Sequence, residues 1–192
     1  MSYLTKQRTF ETFLNLAKNE STRRNQKSVL GHFEKFCLKQ FDRSMETVIE
    51  DLILVSKTES QKIEDLFQEY ISNGFKETNS ARTIRTHYSI LTSYLKYRKI
   101  PIDKEDLRTV LSFPRISYDE LVPMNREIIR KFIDFANTTE KAKLLVQASS
   151  GLRNQEVCGL RKRDIQTDTT RWAIHVSAKL GKGSKARITF IS

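Results

Sequence analysis

Through the first 110 residues, apolar side chains return every three or four positions, the spacing by which a helix buries one face. Phe10, Phe13, Leu14 and Ala17 mark a short opening helix. Val29, Leu30, Phe33, Phe36 and Cys37 mark the next, with Ser21 or Thr22 in position to cap it. Met45, Val48, Ile49, Leu52 and Ile53 follow at the same period. Thr58-Glu59-Ser60-Gln61 has the form of a capping box and leads into Ile63, Leu66, Phe67, Tyr70 and Ile71, a helix that Gly74 is expected to end. A further helix begins near Asn79-Ser80 and carries Ile84, Tyr88, Leu91, Tyr94 and Leu95 as its stripe. The pattern predicts a bundle of four or five helices.

The period loosens between Ile102 and Asn125, where only Glu105 to Leu111 reads as a short helix. All three prolines fall between 101 and 123, the punctuation of a connector, and the domain boundary is placed at residue 113. Helical spacing resumes with Ile128, Ile129, Phe132, Ile133 and Phe135, then with Ala142, Leu144, Leu145 and Ala148 before Ser149-Ser150-Gly151. Beyond Leu160 the period changes to two. Trp172 to Val176 alternates as a strand, answered by Arg187 to Ile191. The expected fold is mainly α: a helical bundle over residues 1–112, then a mixed α+β domain with a β-hairpin over residues 113–192.

Composition narrows the partners. A formal net charge of +11 suits a polyanion, because clustered Lys and Arg raise both affinity and encounter rate for nucleic acid. The excess is concentrated late: from Arg153 onward there are nine basic and three acidic residues. Glu46 to Glu77 runs the other way, with eight acids against Lys57, Lys62 and Lys76, and is expected to face away from nucleic acid or to be a solvated helical face. No run of about 18 apolar residues and no signal-peptide pattern occurs, so the expectation is a cytoplasmic, DNA-associated protein without a membrane partner. Cys37 and Cys158 lack metal-ligand spacing and read as buried small apolar residues. His32, His87 and His175 are equally scattered, so no metal site is expected.

Two stretches carry candidate chemistry. In Ser150-Gly151-Leu152-Arg153-Asn154-Gln155-Glu156-Val157-Cys158-Gly159-Leu160, an arginine stands between a turn-forming pair and an amphipathic helical pattern, where it can meet a phosphate. Glu156 falls three residues later on the same helical face, placed to hold the arginine or the helix. About 20 residues further on, Lys179-Leu180-Gly181-Lys182-Gly183-Ser184-Lys185-Ala186-Arg187 forms a basic turn between the two β-like runs. That turn lacks the Gly-x-x-x-x-Gly-Lys-Ser/Thr order and joins strands instead of opening a helix, which argues against a nucleotide-binding loop. In the first half, Arg82 and Arg85 lie off the apolar stripe of their helix, either as DNA contacts or as ordinary solvated arginines.

Taken together, these residues resemble the tyrosine site-specific recombinases, the phage-type integrases and Xer-like enzymes. Ser150 to Leu160 is similar to the family's small-Gly-x-Arg-x-x-Glu-apolar-x-x-Leu box, and Gly181 to Arg187 to its lysine-bearing hairpin. The resemblance implies a SAM-like core-binding domain and a catalytic domain clamping duplex DNA. It also implies transesterification through a tyrosyl-phosphate, with no cofactor. On this reading Arg153 stabilises charge growing on the non-bridging oxygens. Lys182 protonates the departing 5′ oxygen, with Lys185 as the rival for that role. Lys179, Lys185 and Arg187 contact DNA, as do Arg82 and Arg85.

The family's His-x-x-Arg pair and late tyrosine have no counterpart, since all six tyrosines precede Arg153. Two functions are therefore expected as alternatives. One is the front portion of a recombinase whose catalytic domain is truncated, completed by other protomers or by a complementing C-terminal fragment and inactive alone. The other is a non-catalytic DNA-binding protein that occupies or regulates an attachment site.

Overall fold

A computed structural model of the chain describes residues 8–55, 61–78, 80–116, 123–168, 170–180 and 185–191. The chain is mainly helical, with a small three-stranded antiparallel sheet, and divides into two compact units, Met1–Asp119 and Glu120–Ser192.

The first unit holds α1 (Phe10–Leu14), α2 (Glu20–Phe41), α3 (Met45–Val55), α4 (Gln61–Thr78), α5 (Ala81–Tyr97) and α6 (Lys104–Val110). Its core gathers the predicted stripes: Leu30, Phe33, Ile49, Phe67, Ile84, Leu91, Tyr94 and Leu95 are fully buried. Aromatic edges lock it, with Phe33 and Phe36 meeting Tyr70 at ring separations of 5.3 and 5.2 Å. The α6 segment and the residues after it close the same core. Leu107 and Leu111 are buried, Ser112 N–H donates to Gln68 Oε1 at 2.8 Å, and the Phe113 ring lies 5.1 Å from Tyr88.

Two local expectations are corrected. The cap of α2 is Asn19, whose side chain accepts from Thr22 N–H at 2.8 Å, so the helix starts before Ser21 and Thr22. Gly74 does not end α4, which runs on to Thr78. A Cβ at Gly74 would stand 2.7 Å from Ile84 Cδ1, so this glycine lets α5 approach α4 closely. Thr58, Glu59 and Ser60 of the expected capping box lie outside the described residues. Ser80 caps α5, as its place beside the predicted start requires.

The second unit holds α7 (Arg126–Phe135), α8 (Thr138–Ser150), α9 (Asn154–Gly159), β1 (Ile165–Gln166), β2 (Ala173–Val176) and β3 (Arg187–Phe190). Strand order is β1-β2-β3, with Ala173 opposite Phe190 and Val176 opposite Arg187. The strand β1 is an addition to the expected hairpin. Two residues long and following a 3₁₀ turn, it is too short to show alternation. The core is small: Leu152, Val157, Ile174 and Val176, with Val146, Leu160, Leu180 and Ile191 against them.

Cys37 is buried, and burial pushes its thiol up to about 12, with the Glu34 carboxylate adding to the shift. Cys158 is exposed, contrary to expectation: α9 turns Glu156 and Val157 inward, and the next residue faces out. Among the described residues, no helix is long and apolar enough to cross a membrane.

Candidate nucleic-acid interface

The Arg153 site is built by a sharp exit from α8. Gly151 ends that helix at φ +65°, a left-handed conformation that glycine adopts without the Cβ penalty, and its N–H reaches back to Gln147 O. The chain then extends through buried Leu152 and starts α9 one residue after Arg153. From the sheet, Thr189 Oγ1 donates to Ser150 O at 3.0 Å, tying β3 to the same exit.

Glu156 is the centre of the site. Its side chain is 1% exposed and accepts four hydrogen bonds. Arg153 gives its backbone N–H to Oε2 at 2.8 Å and its guanidinium Nη1 to Oε1 at 3.2 Å. Arg187 gives a fork, Nη1 to Oε1 at 2.9 Å and Nη2 to Oε2 at 2.7 Å. The Arg187 bonds first, then the Arg153 N–H, hold the carboxyl at about 2 although burial opposes this. A buried carboxylate is tolerable only when paired and hydrogen-bonded, and here it is both.

The Arg153 side chain is 60% exposed, and Glu156 is its only side-chain partner among the described residues. A guanidinium has five N–H donors, so one bond to Glu156 orients the group and leaves the rest facing outward. Arg187, expected as a DNA contact, is 38% exposed and spends two donors on Glu156. The structure thus brings Arg153, Glu156 and Arg187 together. Lys179 and Lys185 are exposed at either side of the loop between β2 and β3, and Lys182 lies outside the described residues.

The first unit presents a separate surface. Arg82 and Arg85 lie exposed on α5 and, with Thr86 and Ser89, face Ser21, Thr22, Asn25 and Gln26 of α2 across a groove of about 580 Å³. Among the described residues, the lining contains two guanidiniums, several neutral hydrogen-bonding groups and no acid. Arg85 also stacks its guanidinium over Phe113, 5.1 Å from the ring centroid. The polar α2 side of this groove was missed in the sequence. Its signal is the run Ser21-Thr22-Arg23-Arg24-Asn25-Gln26, in which no apolar residue interrupts the first turns of a long helix.

No protein-family model matches the chain, and no curated protein matches it in sequence. Among solved structures, it is similar in fold to the XerH site-specific recombinase bound to palindromic difH substrate in a post-cleavage complex. Identity is 20% and TM-score 0.47, over 67% of this chain and 39% of that one. It is also similar to XerA recombinase, with 18% identity and TM-score 0.32, over 87% of this chain and 60% of that one. The matched length is therefore under two thirds of either recombinase, and neither superposition is close enough to transfer a residue's role.

Proposed function

We propose that this chain binds duplex DNA through both units and that its second unit carries the arginine-bearing part of a phosphoryl-transfer site of the tyrosine-recombinase kind. The observation that carries the reading is an exposed Arg153 guanidinium seated on a buried carboxylate that Arg187 clamps from the sheet. Attack of a hydroxyl on a phosphodiester builds negative charge on the non-bridging oxygens. A guanidinium already fixed in orientation meets that charge without reorganising. Glu156 and Arg187 are positioning residues: they set the place and angle of Arg153.

The basic loop between β2 and β3 supplies the proton. Lys182 donates to the departing 5′ oxygen, Lys185 stands as the alternative donor, and Lys179 neutralises backbone phosphate. Arg82 and Arg85 hold the duplex on the first unit. The attacking tyrosine and the His-x-x-Arg pair are not among these 192 residues, so cutting needs them from another protomer or a complementing C-terminal segment. Alone, these residues bind DNA without cutting it, which is also what a protein occupying an attachment site would do.

A nicked suicide duplex separates these cases. The chain alone should trap no denaturant-resistant adduct; mixed with a polypeptide bearing the tyrosine, it should support one. Arg153→Ala should lower that adduct's rate of formation by about a hundredfold or more. Full activity of Arg153→Ala in the mixture removes Arg153 from the site.

A further inference from the structure

Among the described residues, two buried side-chain polar atoms lack a hydrogen-bond partner, Gln26 Oε1 and Tyr88 Oη. Such atoms are rare in folded chains, and each calls for a physical reason. Both fall beside Arg85. Gln26 lines the α2–α5 groove, and Tyr88 lines a second cavity of about 600 Å³ that shares Arg85 and Ser89 with that groove.

Tyr88, Ser89 and Thr92 border this second cavity from α5, Arg108 from α6, and Phe113 from the chain beyond. Tyr88 is 7% exposed, and its ring meets Phe67 and Phe113 edge-on, with centroids 5.4 and 5.1 Å away. Those contacts fix the phenol. Thr92 does not satisfy it, because the Thr92 hydroxyl donates to the Tyr88 carbonyl. Burial pushes the Tyr88 phenol above its ordinary value of 10.0, with the Arg108 guanidinium acting against that rise. At neutral pH the hydroxyl therefore keeps its proton and is a donor.

The charged groups around it are donors too. Arg85 and Arg108 are exposed and form no ion pair among the described residues. Arg85 lies over the Phe113 ring, which sets its plane and leaves its in-plane N–H groups for a ligand. Among the described residues, the lining holds no carboxylate. A tetrahedral anion offers acceptors to all three donors at once.

We propose that Arg85, Tyr88 and Arg108 form a seat for one backbone phosphate of the duplex, which rests on the reading of α5 as a DNA surface and extends it to α6. Arg82, Arg85, Ser89 and Thr92 recur at three and four spacing, a row of about 15 Å along one face of α5. A row of that length suits a polymer of phosphates. Arg108, exposed and close enough to act on the Tyr88 phenol, moves with the incoming phosphate, and the buried hydroxyl gains in the complex the acceptor it lacks in the free chain.

The test is anisotropy of a labelled duplex at stepped salt concentrations, with the parent chain, Arg82→Ala, Arg108→Ala and Tyr88→Phe. Arg108→Ala should reduce the slope of log affinity against log salt by about 1. Tyr88→Phe should weaken binding about tenfold at every salt concentration with the slope unchanged, since a neutral donor displaces no counterion. Its thermal midpoint should equal or exceed the parent's, because the free chain loses no hydrogen bond. If Arg82→Ala weakens binding while either Tyr88→Phe or Arg108→Ala binds as the parent does, the seat is overturned and the α5 surface stands. A lowered midpoint in Tyr88→Phe also overturns the seat, by showing that the hydroxyl has a partner within the fold. A parent chain that binds no duplex, or an Arg82→Ala variant that binds as the parent does, overturns the α5 surface and the seat together.

Discussion

Arg187 donates both ends of its guanidinium to the Glu156 carboxylate, at 2.9 and 2.7 Å, across 31 residues of chain. The bond joins the first residue of β3 to the middle of α9. It makes the carboxylate that orients Arg153 a property of the sheet as well as of the helix.

Stability of the second unit should therefore depend on acid in a defined range. The fold lowers the Glu156 carboxyl from its ordinary value of 4.5 to about 2. Such a group contributes stability that is complete above about 4.5 and is lost as the pH falls through about 2. Thermal midpoints measured from pH 5 to pH 2 should fall, and Glu156→Gln should start lower and flatten this part of the profile. An unaltered profile in Glu156→Gln would remove the carboxylate from this role.

Arg82 and Arg85 should each act on DNA as phosphate contacts. Replacing either by Ala should weaken binding to unrelated duplexes about equally and reduce the slope of log affinity against log salt by about 1. Anisotropy of a labelled duplex at stepped salt concentrations reads both quantities. An unchanged slope in the double variant would assign the two arginines to solvent.

Two glycines should respond to alanine in opposite directions. A Cβ at Gly159 would press on Leu180 Cδ2 and stand 3.3 Å from its Cγ, so the Leu180 side chain would have to shift against the small core. Gly159→Ala should cost about 1–3 kcal/mol in a denaturant titration. Gly31 lies inside α2 with nothing within 4 Å of such a Cβ, and Gly31→Ala should stabilise by up to about 1 kcal/mol.

The cysteines should separate under alkylation. Cys158 is exposed and should label in the native chain. Cys37, fully buried and with its thiol pushed up to about 12, should label only in denaturant. Native labelling of both at one rate would contradict the core of the first unit.

The helical half was legible because burial and period agree: the Ile84, Tyr88, Leu91 and Leu95 stripe read from spacing is the stripe that packs. Single residues with two meanings were not. Gly74 reads as a stop, yet inside α4 it serves contact with Ile84, a partner that spacing cannot name. Cys158 reads as apolar filler, but two-turn α9 has only one inward side and Glu156 and Val157 occupy it. Glu156 could be paired with Arg153 because they are three apart. Its second partner, Arg187, depends on the strand register that sets Arg187 opposite Val176, and that register is not written in either strand. The His32 and His87 pairing is hidden for the same reason, 55 residues of sequence collapsing to 5.4 Å between rings.

The hydrogen bond from Thr189 to the Ser150 carbonyl, with the Arg187 fork two residues before it in the strand, fastens β3 to the α8–α9 corner at two points. Both fastenings lie outside the segment 177–186. That segment can lengthen, shorten or change composition while the arginine corner keeps its shape, because closing a somewhat longer loop adds little entropy cost. The composition of that segment and the geometry of the arginine corner are thereby separable traits, open to exchange of the segment alone.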